Sequence, residues 1–229
     1  MIPLGFYLLI IIALMALGIE VVVRILIYKG KKINLQTRAY DALRKMLTLR
    51  GIDFKSEDIQ IIESKRHSYH PLQNMIRIRG FDLKTGFDHT LSLHEGGHYL
   101  SLTQNIQKRK RFMFTLSMVA INRIIIIPIF IIAVFVFDDN QSHLLIDPLL
   151  LTILLTFFVI ASALRLSIGM SEEYNASRIA LKHIDQYYEK TVIKYAKRQL
   201  LACFYQQLSQ ALFITIAIPL IYTIIILYG

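Results

Sequence analysis

Four apolar stretches constrain this chain more than any other feature. They run from about Ile2 to Tyr28, Met113 to Phe137, Pro148 to Ser167 and Ala211 to Tyr228. Each is close to the ~20 residues that carry a helix across a bilayer core. A segment in hydrocarbon must satisfy its own backbone, so each reads as a transmembrane helix. Hydrophobic residues make up 55% of the chain, above the usual share for a soluble domain, and the excess sits in these blocks. The polar remainder is mainly residues 29–112 and 170–210. The first block has no charged start and no small-x-small cleavage site, so it is expected to be a permanent anchor rather than a signal peptide.

The net charge of +10 could suggest nucleic acid, but its distribution points to the membrane. Lys29, Lys31, Lys32, Arg38, Arg44, Lys45 and Arg50 follow the first block. Lys108, Arg109, Lys110 and Arg111 precede the second. Arg178, Lys182, Lys190, Lys194, Lys197 and Arg198 lie between the third and fourth, while Asp138 to Asp147 has no Lys or Arg. By the positive-inside rule, 29–112 and 170–210 face the cytoplasm, and both termini and the acidic connection lie outside. The basic runs can also meet anionic headgroups. No motif supports nucleic-acid binding, so the partner this charge pattern points to is the lipid bilayer. The single cysteine, Cys203, excludes a disulfide framework and a Cys-rich metal site, and is expected to be a small buried residue near the fourth span. Glu20 and Arg24, four apart near the end of the first span, read as a helix ion pair.

Within 29–112, Leu35, Ala39, Leu43, Met46 and Leu47 recur at helical spacing. They predict an amphipathic helix over 35–50, ended by Gly51, lying on the membrane surface or on its own domain. Ile59–Glu63 and Asn74–Arg79 read as short strands, with Pro71 in the turn before the second. Met75-Ile76-Arg77-Ile78-Arg79 alternates apolar and basic. It fits an ordinary hairpin with a solvated basic face, or an edge that pairs with an extended substrate.

A helix is expected from Thr90 to about Gln107, and it carries His94-Glu95-Gly96-Gly97-His98. On a helix, residues four apart lie one above the other. Two imidazoles at that offset can reach one metal ion, and Glu95 is placed to act on water at that metal. Gly96 and Gly97 conflict with the helix, since each costs about 1 kcal/mol against Ala. Either a side chain there would block a close approach of backbone or substrate, or packing holds a weak segment.

A catalytic zinc needs a third protein ligand. Ser171-Glu172-Glu173-Tyr174-Asn175-Ala176-Ser177-Arg178-Ile179-Ala180 begins just inside the third span and reads as helix. Glu173, Ala176, Ser177 and Ala180 share a face, and small residues beside a carboxylate allow two helices to approach closely. Glu172 points about 100° away and fits worse. Read alone, the Glu pair also fits an acidic helix start favoured by the macrodipole. His67, His70 and His89 read as turn or surface residues rather than ligands.

The chain resembles the YugP-type neutral zinc metallopeptidases, themselves similar to HtpX-type gluzincin and CAAX prenyl proteases. The resemblance rests on Tyr69-His70-Pro71, the His94–His98 pentad and Glu173-Tyr174-Asn175-Ala176-Ser177 in that order, and it covers nearly the whole length. It implies that Glu173 is the third metal ligand, with His94 and His98, that Glu95 is the general base, and that one Zn2+ is held per chain. Gly97 matches a family glycine. Gly96 stands where the family usually has a branched apolar residue, and Tyr99 where it usually has Ala. In HtpX-type relatives an Asp occupies the place of Ser177 and supports a zinc histidine, which a hydroxyl does more weakly.

The expected protein is thus mainly α and multi-pass in the cell membrane, with a small α+β zincin-like catalytic domain on the cytoplasmic side. Its organisation is span 1 in 1–28, a catalytic segment in 29–112, spans 2 and 3 with a short outer loop in 113–169, a ligand helix in 170–210 and span 4 in 211–229. The expected activity is zinc-dependent endopeptidase hydrolysis of a peptide or protein substrate. His183, Tyr174 and Arg178 are alternative oxyanion stabilisers. Other readings are a site-2-type intramembrane metalloprotease, which would need an Asp in a later span, and a non-enzymatic zinc-binding adaptor.

Overall fold

The computed structural model describes residues 4–52, 54, 59–129 and 148–228. The acidic connection 138–147 lies outside the described residues. The described chain is mostly helical, with four helices long and apolar enough to cross a membrane and one small three-stranded sheet.

The helices are α1 (Leu4–Lys31), α2 (Ala39–Thr48), α3 (Gly86–Thr103), α4 (Ile106–Ile121), α5 (Pro148–Leu164), α6 (Met170–Tyr187) and α7 (Lys190–Tyr228). Strands β1 (Gln60–Glu63), β2 (Ser68–His70) and β3 (Met75–Ile78) lie between α2 and α3. The candidate spans are Ile10–Lys31, Ile106–Ile129, Thr152–Tyr187 and Lys190–Ile218. Only 6% of the first span's most apolar window is buried within the chain, so lipid is the partner its composition calls for.

These helices run beyond the apolar blocks. α4 starts at Ile106 because Asn105 caps it, its side chain accepting from the Lys108 amide at 3.0 Å. A π turn at Asn122–Ile126 continues α4. It precedes Pro128, which has no amide proton to complete a regular turn. Asn122 Nδ2 there donates to the Phe158 carbonyl at 3.3 Å and ties α4 to α5. A second π turn, Arg165–Gly169, joins α5 to α6, so helical backbone continues from the third span into the Glu172-Glu173 segment. α7 is continuous through residues 210–211, where a boundary was expected. α1 packs along α7, and the Tyr195 ring fills the space where Gly30 would carry a Cβ.

The sheet order is β1-β3-β2, with β3 parallel to β1 and antiparallel to β2. β3 is therefore the central strand. Both its edges are paired, which favours the hairpin reading of this strand over the alternative of an edge open to substrate. β2 was not expected from sequence. It forms a hairpin with β3 through the turn after Pro71, where Asn74 has φ 47°. α2 packs on α3 rather than lying free on a membrane surface. Leu43, Met46 and Leu47 of α2, Ile76 and Ile78 of β3, Leu93 and Leu100 of α3, and Ala180 and Ile184 of α6 form one core. That core holds α3 between α2 and α6.

Candidate metal centre

α3 begins earlier than expected, at Gly86. Thr85 caps it by accepting from the Asp88 amide at 3.2 Å, while its hydroxyl donates to the Asp88 carboxylate. Gly86 lies against Ile33 and donates its amide to the Ile33 carbonyl at 2.7 Å, so the start of the helix is pinned to the chain leaving α1. Asp88 is fully buried. Arg79 pairs with it, Nη2 donating to Oδ2 at 3.1 Å while Nε lies 3.0 Å from Oδ1 without hydrogen-bond geometry, and His67 Nε2 lies 3.1 Å from Oδ1. Burial works against this carboxylate, but His67, Thr85 and Arg79 outweigh it and hold it below its ordinary value.

His89 is thus a buried structural residue, which corrects its reading as a turn or surface position, whereas His67 lies in the connection between β1 and β2 with its ring turned inward onto Asp88. His89 Nε2 is 2.9 Å from the Thr37 carbonyl, which can only accept, so Nε2 carries the proton. Nδ1 then accepts from the Tyr188 hydroxyl at 2.8 Å. Burial lowers the His89 pKa, in keeping with a neutral ring. Neither residue joins the metal cluster, as the sequence reading expected. His70 lies in β2, with its Nδ1 buried and unpartnered among the described residues.

Two turns further along α3, His94 and His98 point toward α6. His94 Nε2 is 3.2 Å and His98 Nε2 is 3.5 Å from the same oxygen, Oε2 of Glu173. The three ligand atoms all lie within 4.8 Å of one another. The edge of a tetrahedron with zinc-to-nitrogen bonds of about 2.0–2.1 Å is roughly 3.3 Å, so the separations suit one shared cation. Both histidines are more than nine-tenths buried and Glu173 is partly exposed, which leaves the cluster reachable from one side. Burial opposes a charged His98, but Glu172 and Glu173 outweigh it and raise His98 to about 10. The pocket favours positive charge, as a cation site must. Two imidazoles and a carboxylate are also a donor set that zinc accepts.

The approach of the two helices follows from small residues. A Cβ at Gly97 would stand 3.0 Å from both Cα and the carbonyl carbon of Ala176, and closer still to its carbonyl oxygen. Ala176 and Ala180 on the facing side are fully buried. Gly97 therefore answers to a neighbouring backbone, one of the two explanations the sequence left open. Gly96 faces the other way, and Leu43 Cδ1 and Met46 Cε of α2 lie 2.5 Å from where its Cβ would be. Tyr99 is buried and meets Tyr69 of β2 edge-on, with ring centroids 6.0 Å apart. Both departures from the resembled family thus have a packing partner here.

Each ligand imidazole has a second contact through Nδ1. Ser177 Oγ is 3.2 Å from His94 Nδ1. Glu172 Oε1 is 3.4 Å from His98 Nδ1. Glu172, set aside from sequence because it points away from Glu173, is buried and takes this role from the far side of the ring. Glu95 lies between the histidines with intermediate exposure. Tyr174, Ser177 and Arg178 line a groove of about 720 Å3 between α6 and α7, floored by Leu200 and Phe204. His183 lies instead beside Tyr187 and lines a different groove, with Asp41 and Lys45 of α2.

Comparison of the chain with family models, with curated proteins and with solved structures found no match in any of the three.

Proposed function

We propose that this chain is a membrane-embedded zinc metalloendopeptidase whose site faces the cytoplasm. The observation that carries the reading is the convergence of His94 Nε2, His98 Nε2 and Glu173 Oε2, with Glu95 set between the two histidines on α3. His94, His98 and Glu173 would hold the ion, one per chain. Bound there, zinc supplies Lewis-acid polarisation of a scissile carbonyl and acidifies water. Glu95 takes a proton from the attacking water and returns it to the leaving amine. Ser177 and Glu172 keep the imidazoles oriented while this happens.

The unit made of β1–β3, α3 and α6 is read as zincin-like. α3 is not among the four candidate spans, and Glu173 lies in the charged continuation of Thr152–Tyr187 beyond its apolar stretch, which together favour a site at or outside the bilayer edge over an intramembrane protease. The groove between α6 and α7 is lined by Ser177, whose hydroxyl lies 3.2 Å from His94 Nδ1, and is the room this reading assigns to a peptide. The basic residues flanking the spans favour a cytoplasmic site in the cell membrane.

The test uses the full chain purified in detergent. Elemental analysis should give one zinc per chain, and a quenched fluorescent protein substrate should be cleaved. Glu95→Ala should keep the zinc and lose cleavage. Full proteolysis by that variant would refute the proposal.

A further inference from the structure

We propose that Glu172, held by Lys108 and Ser101, is a positioning residue that orients His98 for metal binding. The inference rests on the metal reading above.

An imidazole has two nitrogens on different sides of its ring. His98 turns Nε2 toward Glu173 and Nδ1 toward Glu172 Oε1. A carboxylate can only accept, so this contact requires a proton on Nδ1. With the Nδ1 proton held there, Nε2 is the nitrogen that can give up its own proton and offer its lone pair to a cation taken up between it and Glu173. The Ser177 hydroxyl at His94 Nδ1 can donate or accept, and so dictates no tautomer. Of the two Nδ1 contacts, the one at His98 alone has an obligate acceptor and so fixes a proton on that nitrogen.

Glu172 is built into the fold for this task. Its residue is 1% exposed, and a buried carboxylate without partners would be costly. Oε2 is taken up by Lys108 Nζ at 2.6 Å and by the Ser101 hydroxyl at 3.0 Å, and Lys108 also donates to Ser101. Oε1 remains for His98. Three helices meet in this arrangement: Ser101 one turn beyond His98 on α3, Lys108 in the first turn of α4, and Glu172 in the first turn of α6. Lys108 also balances the charge of Glu172, so the carboxylate can polarise His98 without adding an uncompensated negative charge beside Glu173. The 3.4 Å separation exceeds the about 2.7–2.9 Å of a short charge-assisted bond, so the effect belongs near the lower end of the 10- to 100-fold range for such partners.

The experiment measures zinc affinity by competition with a chromophoric chelator, and thermal stability of the zinc-free protein, on the full chain in detergent. Glu172→Gln should weaken zinc roughly tenfold and lower stability, because Lys108 loses its counter-charge. The double variant Glu172→Gln with Lys108→Met removes the stranded ammonium. It should regain stability while zinc affinity stays about tenfold low, and its cobalt-substituted form should show shifted visible bands. Wild-type zinc affinity and cobalt spectrum in a stable double variant would overturn the role of Glu172 and leave the metal site standing. Failure of the wild-type chain to bind zinc would overturn the metal reading itself, and this inference with it.

Discussion

Gly97 of α3 and Ala176 of α6 meet backbone against backbone, so the separation of these two helices is set by a missing side chain. Gly97→Ala gains about 1 kcal/mol of helix propensity. It also forces α6 outward, and with it Glu173. Overpacking of this kind costs typically about 1–3 kcal/mol, more where backbone must move. Gly97→Ala should therefore lower thermal stability and weaken zinc binding together. Gly96→Ala meets only the ends of Leu43 and Met46, which can turn aside, and should leave zinc binding near wild type. Equal loss of zinc in both variants would contradict this asymmetry.

Zinc that binds only the folded donor set should stabilise it. At a hundredfold excess over its dissociation constant the gain is about 2.7 kcal/mol. Stripping with a chelator should lower the unfolding temperature of the wild-type chain, and added zinc should restore it. His94→Ala, His98→Ala and Glu173→Ala should show no such recovery. Glu95→Ala should recover like the wild type, since its carboxylate is not among the three converging donors.

Asp88 predicts a pH dependence at the start of α3. Its folded carboxylate is held below the ordinary value of 3.8, so its contribution is fully present above that value and is lost as pH falls through the folded one. Asp88→Asn leaves Arg79 without its counter-charge and His67 without its carboxylate partner, at a cost near neutral pH toward the lower end of the about 3–5 kcal/mol for a broken buried pair, since Arg79 is partly exposed. Unfolding measured against pH should show a constant gap between wild type and variant from pH 7 to about 5, narrowing at lower pH. A gap that widens on acidification would reverse the sign argued here.

The proposed orientation is open to labelling in whole cells. With Cys203 replaced by Ser, a cysteine at Gln141 should react with an impermeant maleimide from outside, and one at Lys190 should react only after the membrane is opened. The opposite pattern would place the site on the outer face.

Much of the fold was legible because long apolar runs admit few structures in lipid. The spans, α2 and the pair β1 and β3 follow from length and periodicity. Helical spacing made His94 and His98 legible as a pair, whereas spacing left Glu173 open between a ligand and an acidic helix start, and the family resemblance singled it out. What escaped was polar burial. His89 reads from sequence as a turn or surface residue, yet it and Asp88 lie in the buried first turn of α3, matched by Arg79, Tyr188 and the Thr37 carbonyl. No local pattern announces partners so distant in sequence. Glu172 escaped for a geometric reason: the helical angle was measured toward the metal, whereas an imidazole presents a second nitrogen on another side. β2 is three residues without alternation, too short to signal itself.

The continuity of helix from α5 through the π turn into α6 has a bearing on how the protein can be dissected. The two histidines belong to a body made of α2, the sheet and α3, whereas Glu173 arrives on the end of a rod that starts in the third span. The three candidate donors therefore meet at a seam between that body and a helix long and apolar enough to cross a membrane. A fragment ending before residue 113 would keep both imidazoles and forfeit the carboxylate and Glu172, so the centre belongs to the inserted protein and not to its polar half.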